Sequence, residues 1–360
     1  MQTISGVLDI STQLVWMRCN ATCTACRPPS SSFLATKSET FKFLPCGDKT
    51  CQDLVTQTCD NNPNPCGYSA SYSDTMSTAG YLAWDTFTFG TTAVPNVLFG
   101  CSDSTTGDYS GVIGLGRGPL SLVSQLGLSN FSYFLAPDDG ASDSQVQLGG
   151  VAAPRTGRGV LSTPLRTSDL YTDLYYVGLT GIHVDGEELD DIPAGTFDLR
   201  DDGSGGVFLS TTIPVTYLLS DAYRVVRKAF ASRISAQPLR NGSLDSLCYT
   251  AQSMAGVEVP TLKLVFEGTG AAMELRTDNY FFRFDDGGRD LECLTVLPSK
   301  GASVLGSLLQ TGTTMIYDLD GEQLTFVTMD KDKQRLSSEA PAAASLAMAV
   351  AVAVAVGVLL

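Results

Sequence analysis

Two stretches decide the fold: Val7-Leu8-Asp9-Ile10-Ser11-Thr12-Gln13-Leu14-Val15-Trp16 and Val207-Phe208-Leu209-Ser210-Thr211-Thr212. Each drives a short apolar run into a small polar triplet. Each is answered downstream by two apolar residues that lead into glycine, Val112-Ile113-Gly114 in the first half and Val304-Leu305-Gly306 in the second. A pattern that occurs once per half implies two similar lobes built of strands. Working outward, Tyr81 to Phe89, Val97-Leu98-Phe99, Tyr175 to Leu179, Leu262 to Phe266 and Leu324 to Val327 read as further strands between turn residues. Asp185-Gly186 and Asp320-Gly321 sit between apolar flanks and carry hairpin chemistry.

Helical periodicity is sparse. The clearest case runs from Ala222 to Ile234, with Ala222, Val226, Ala229, Phe230 and Arg233 on one face and Ser220 as the expected cap. A shorter helix is expected from Leu120 to Leu126. The expected organisation is a mainly β chain with an N-terminal lobe over 1–150, a C-terminal lobe over 151–332 and a small-residue, hydrophobic tail over 333–360. The turn-rich seam falls near Gly149 to Gly157.

Composition limits the chemistry. The chain of 360 residues carries a formal net charge of -15, so clustered positive charge for nucleic acid or an anionic membrane surface is not expected. It holds 1 histidine, His183, which excludes multi-histidine metal sites. Of the ten cysteines eight fall in the first 101 residues, and Cys248 and Cys293 stand alone in the last third, so both subsets are even. Cys23-x-x-Cys26 lacks a second ligand pair at zinc spacing, which favours disulfides formed in an oxidising compartment. Glycosylation sequons begin at Asn20, Asn130 and Asn241 and agree with an extracellular or cell-surface location. No basic and apolar leader follows Met1, so a truncated N-terminus is expected. Residues Leu346 to Leu360 are apolar behind a run of small residues, the order of a GPI-attachment signal; a membrane helix or a low-complexity tail are the alternatives.

The chain resembles the pepsin-type (A1) aspartic proteases, most closely their plant nepenthesin-like branch. Leu8 to Trp16 resembles the first active-site strand, D-T-G-S before L-V-W. Cys66 to Asp74 with Ser77 to Leu82 resembles the flap hairpin, and Gly114 to Leu126 matches a segment characteristic of the plant branch. The resemblance implies a bilobal pepsin-like fold of two pseudo-symmetric β lobes with a cleft between them. It also implies peptide-bond hydrolysis by an aspartate-activated water, with no metal or cofactor. Two carboxylates would share one proton, because two like charges about 3 Å apart cannot both ionise. Asp9 takes the first catalytic position. Tyr72 takes the flap tyrosine's position, with its hydroxyl expected on the indole N–H of Trp16. Cys248 is expected to pair with Cys293.

The departures are as informative. Asp9-Ile10-Ser11 replaces D-T-G, so Ile10 lacks a hydroxyl and Ser11 puts a side chain where glycine is usual. Ser210-Thr211-Thr212 replaces D-S-G, which puts Ser210 on the second catalytic aspartate. Nearby Asp201, Asp202 and Asp221 lie off the strand end. The expected outcome is loss or strong impairment of hydrolysis, an Asp9 that is simply ionised at neutral pH for want of a like-charged neighbour, and a binding role in the interlobe cleft toward a peptide or protein ligand. Secreted glycosidases are the partners that fold analogy suggests. Two alternatives stand beside it: an active secreted or GPI-anchored endopeptidase, and a secreted β-rich structural module.

Overall fold

The computed structural model describes residues 2–20, 32–54, 57–59, 65–73, 76–107, 109–138, 142–152, 154, 160–239, 246–268, 270–328 and 347–348. The sequon at Asn241, the Cys23/Cys26 pair and nearly all of the 333–360 tail lie outside them. The chain forms two compact units, one made of Met1–Leu128 with Gln145–Leu148 and Ala344–Leu360, the other of Ser129–Ser144 with Gly149–Ala343. The linear 150/151 boundary is therefore crossed early. Strand Asn130–Phe134 pairs antiparallel with Thr313–Asp318, and this carries Ser129–Ser144 into the second unit.

In the first unit the strand order is Val7–Asp9, Gly111–Gly114, Trp16–Asn20, Thr92–Thr105, Met76–Phe89, Gly67–Ser73 and Gln57–Thr58. Val7–Asp9 lies parallel to Gly111–Gly114, with Asp9 opposite Gly114. Trp16–Asn20 then runs antiparallel to Gly111–Gly114 and parallel to Thr92–Thr105. Trp16, Leu44, Cys51, Cys66, Tyr68, Leu82 and Val112 form the core beneath. Cys19–Cys101, Cys46–Cys59 and Cys51–Cys66 staple this unit.

The second unit repeats the same arrangement. Val207–Leu209 lies parallel to Ser303–Leu305, Thr216–Leu219 touches Ser303–Leu305 antiparallel, and Thr216–Leu219 runs parallel to Val296–Ser299. The sheet continues from Val207–Leu209 through Tyr176–Val177, Val160–Arg166, Gln323–Thr328 and Thr313–Asp318 to Asn130–Phe134. Cys248 and Cys293 sit directly opposite each other in an antiparallel pair and are bonded. The hairpin at Asp185-Gly186 forms with φ of 53° and 79°, the left-handed pair that its turn requires.

The one long helix among the described residues, Ser220–Arg233, buries Ala222, Tyr223, Val226, Ala229 and Phe230. Ser220 is its first residue and not its cap: its hydroxyl donates to the Ser299 carbonyl at 2.9 Å. No helix among the described residues is long and apolar enough to cross a membrane.

Candidate active site

The two strand ends can be compared atom by atom within their own units. After Asp9 the chain turns and passes over Gly114, where a Cβ would come within 2.6 Å of the Gln13 carbonyl carbon and 2.7 Å of the Leu14 oxygen. After Ser210 it passes over Gly306, where a Cβ would come within 2.6 Å of the Pro214 oxygen and 2.5 Å of the Val215 carbonyl carbon. Only glycine permits either crossing. Gln13 and Leu14 stand four and five residues after Asp9. Pro214 and Val215 stand four and five after Ser210. The register is the same, and Ser210 occupies in its unit the place that Asp9 occupies in the first.

Asp9 is 2% exposed. Its Oδ1 accepts the Ser11 backbone N–H at 2.8 Å and the Ser11 hydroxyl at 2.6 Å. Burial pushes its pKa up, and the Ser11 and Thr12 donors offset part of that rise. Desolvation is the largest effect on this group, and it acts without any like-charged neighbour.

Ser210 is fully buried. Its Oγ accepts the backbone N–H groups of Thr212 at 3.3 Å and Ile213 at 3.2 Å, and lies 3.2 Å from the Thr212 hydroxyl. A serine oxygen thus takes the backbone donors in the pattern that Asp9 uses. Ile10 is fully buried and Thr211 nearly so. The nearby acids do not make good the loss. Asp202 is exposed in a turn, where the Ser204 hydroxyl and N–H lower its pKa, and Asp221 pairs with Arg224 on the exposed helix face. Asp201 is also exposed.

Tyr72 stands on Gly67–Ser73, one arm of the hairpin with Met76–Phe89. Its ring lies 6.3 Å from that of Trp16. Burial and then the charge of Asp9 raise its pKa, so the hairpin brings Tyr72 close to Asp9 within its own unit. The expected hydrogen bond is not made. Tyr72 Oη and Trp16 Nε1 are buried near one another without closing to hydrogen-bond geometry.

Sequence reading passed over Gln310. Its amide donates to the carbonyls of Ser210 and Leu305 at 2.9 Å, and it receives the Tyr133 hydroxyl. This fixes the backbone on which Ser210 sits. The available signal was a lone amide in the apolar Ser307-Leu-Leu-Gln310 turn just past Gly306. Of the sequons, Asn130 spends its amide on structure, accepting Val151 N–H at 2.9 Å. Asn20 ends the strand Trp16–Asn20. The cluster of Cys46, Cys51 and Cys59 thiols has metal-like proximity, but all three are in disulfides.

Comparison with known proteins agrees with this geometry. The family pattern "Xylanase inhibitor N-terminal" matches residues 1–150 and "Xylanase inhibitor C-terminal" matches residues 174–328. Aspartic proteinase nepenthesin-2 of Nepenthes gracilis is 37% identical over 334 residues, covering 90% of this chain and 74% of that protein. Nepenthesin-1 of the same plant is 33% identical, covering 91% of this chain and 75% of its own length. Soybean basic 7S globulin shares the fold at a TM-score of 0.68 and 20% identity, over 91% of this chain and 88% of its own. Lupine conglutin gamma does so at 0.67 and 21%, over 90% and 87%. The fold and its duplicated strand ends define an aspartic-protease-like protein. The chain belongs to the plant pepsin-type family, in its nepenthesin-like branch.

Proposed function

We propose that this chain is an aspartic-protease relative that has lost efficient hydrolysis and works by binding a peptide or protein ligand. The observation that carries this reading is Ser210 in the register of Asp9, with its Oγ taking the backbone donors of the strand-end turn. In the ancestral reaction one carboxylate takes a proton from water while the other, protonated, polarises the scissile carbonyl. Asp9 can hold one of these roles at a time. The hydroxyl of Ser210 is far too weak an acid for the other, and the loss of one positioned acid–base group costs about 10²–10⁴ in rate. The partner proposed is a peptide segment or a secreted glycosidase, the latter suggested by the xylanase-inhibitor family pattern. The disulfides support an extracellular or cell-surface location, and the apolar tail supports a GPI anchor.

A second reading, an active endopeptidase, is favoured by the proteinase names of relatives at 33% and 37% identity. The deciding experiment incubates the folded protein with denatured casein at pH 3–5. In parallel, a statine peptide and a secreted xylanase are titrated into it by calorimetry. Binding without cleavage is the expected result. Cleavage that disappears in Asp9→Ala selects the endopeptidase, and neither binding nor cleavage removes both readings.

A further inference from the structure

Serine stands at position 11, two residues after Asp9, and threonine at position 212, two residues after Ser210. Both hydroxyls reach back to the strand-end residue, Ser11 to Asp9 at 2.6 Å and Thr212 to Ser210 at 3.2 Å. At these positions the family resemblance implies glycine, which offers a backbone N–H and nothing more. We propose that Ser11 is a positioning residue that clamps the Asp9 carboxylate in its ionised, hydrogen-accepting form, with Thr212 as its counterpart on Ser210. The inference stands whether or not the protein cleaves peptides.

The geometry carries it. Two donors from one residue, the N–H at 2.8 Å and the hydroxyl at 2.6 Å, converge on the same oxygen of a carboxyl that is 2% exposed. Hydrogen bonds to an ionised acceptor are shorter and roughly twice as strong as neutral ones. Both bonds therefore favour the anion and oppose the burial that disfavours it. Thr12 acts in the same direction from the same turn. From the hairpin the titratable neighbour is Tyr72, whose own pKa is raised. It stays neutral through the acid range and does not add a competing titration there. Ser11 thus widens downward the pH range in which Asp9 is an acceptor, and it fixes which oxygen is engaged.

The test is the titration of the Asp9 carboxyl carbon in the full chain, followed by NMR and assigned by its loss in Asp9→Asn. In Ser11→Ala the Asp9 midpoint rises by about one to two pH units, about ten- to hundredfold in proton affinity. Ser11→Thr keeps the hydroxyl and returns the midpoint toward wild type. An unchanged midpoint in Ser11→Ala, or a Ser11→Thr midpoint as high as that of Ser11→Ala, overturns the proposal. Isotope shifts supply a second readout. In mixed light and heavy water the Asp9 carboxyl carbon is expected to lose one of its isotope shifts in Ser11→Ala and to keep it in Ser11→Thr, and a pattern unchanged in Ser11→Ala overturns the clamp.

Discussion

The turn after Asp9 and the turn after Ser210 share strand pairing, glycine crossing and backbone donors, yet one ends in a carboxylate and the other in a hydroxyl. The comparison separates two requirements that the ancestral site combined. The crossing is steric: Gly114 and Gly306 must lack a Cβ or the strands cannot pass. The acid is chemical, and Ser210 keeps the hydrogen bonds of the turn without its proton chemistry. On the function proposed above, a turn of this kind loses its reaction and keeps its shape.

The strongest way to break that equivalence is steric. Gly114→Ala and Gly306→Ala should each destabilise by about 3 kcal/mol or more, because the new methyl meets backbone that cannot rotate away. Similar losses in denaturant unfolding support equal roles; a tolerant Gly306→Ala would show the second turn to be the looser copy. Disulfides sharpen the contrast between the units. Replacing Cys248 and Cys293 by serine opens a loop with a separation of 45 residues and should cost about 4 kcal/mol, against about 3 kcal/mol for Cys51 and Cys66 with a separation of 15. Calorimetry on the two double variants checks the order.

A smaller effect depends on pH. Burial raises the folded pKa of Asp9 above its unfolded value. Its contribution to stability is thus present below the unfolded pKa and lost as pH rises through the folded one. Asp9→Asn removes the buried anion and keeps an oxygen for the Ser11 donors. Its Tm should exceed that of wild type by a few degrees, on the scale of about 2–4 °C per kcal/mol, at pH 7 and by little at pH 3. Thermal scans that show the gain largest at pH 3 would refute this sign. Smallest of all, Tyr72→Phe removes a buried hydroxyl that closes to no short hydrogen bond and should change stability by less than about 0.5 kcal/mol in denaturant unfolding.

Much of this was legible in the residues. The duplicated apolar-to-triplet pattern gives both parallel strand pairs, and Ser210 ends its strand as the triplet Ser210-Thr211-Thr212 leads one to expect. Asp185-Gly186 announces its hairpin, because few residue pairs accept two positive φ angles. Other features depend on contacts that no local pattern encodes. Asn130–Phe134 joins the second unit through a partner strand far along the chain. Ser220 looks like a cap until the Ser299 carbonyl claims its hydroxyl. Ser11 looks like a steric fault, and its side chain instead turns back onto Asp9. The burial that shifts Asp9 belongs to the folded chain and not to its motif.

The central claim, that Ser210 stands where the second catalytic acid is missing, is tested most directly by Ser210→Asp. Purified wild type, Ser210→Asp and the double variant Asp9→Asn/Ser210→Asp are assayed on denatured casein at pH 3–5, with and without a pepstatin-like inhibitor. Wild type is expected to be inert. Ser210→Asp is expected to gain inhibitor-sensitive cleavage, at least about 10²-fold above wild type, and the double variant is expected to lose it. Cleavage by wild type that survives in Asp9→Asn/Ser210→Asp, or that Ser210→Asp does not increase, would contradict the account.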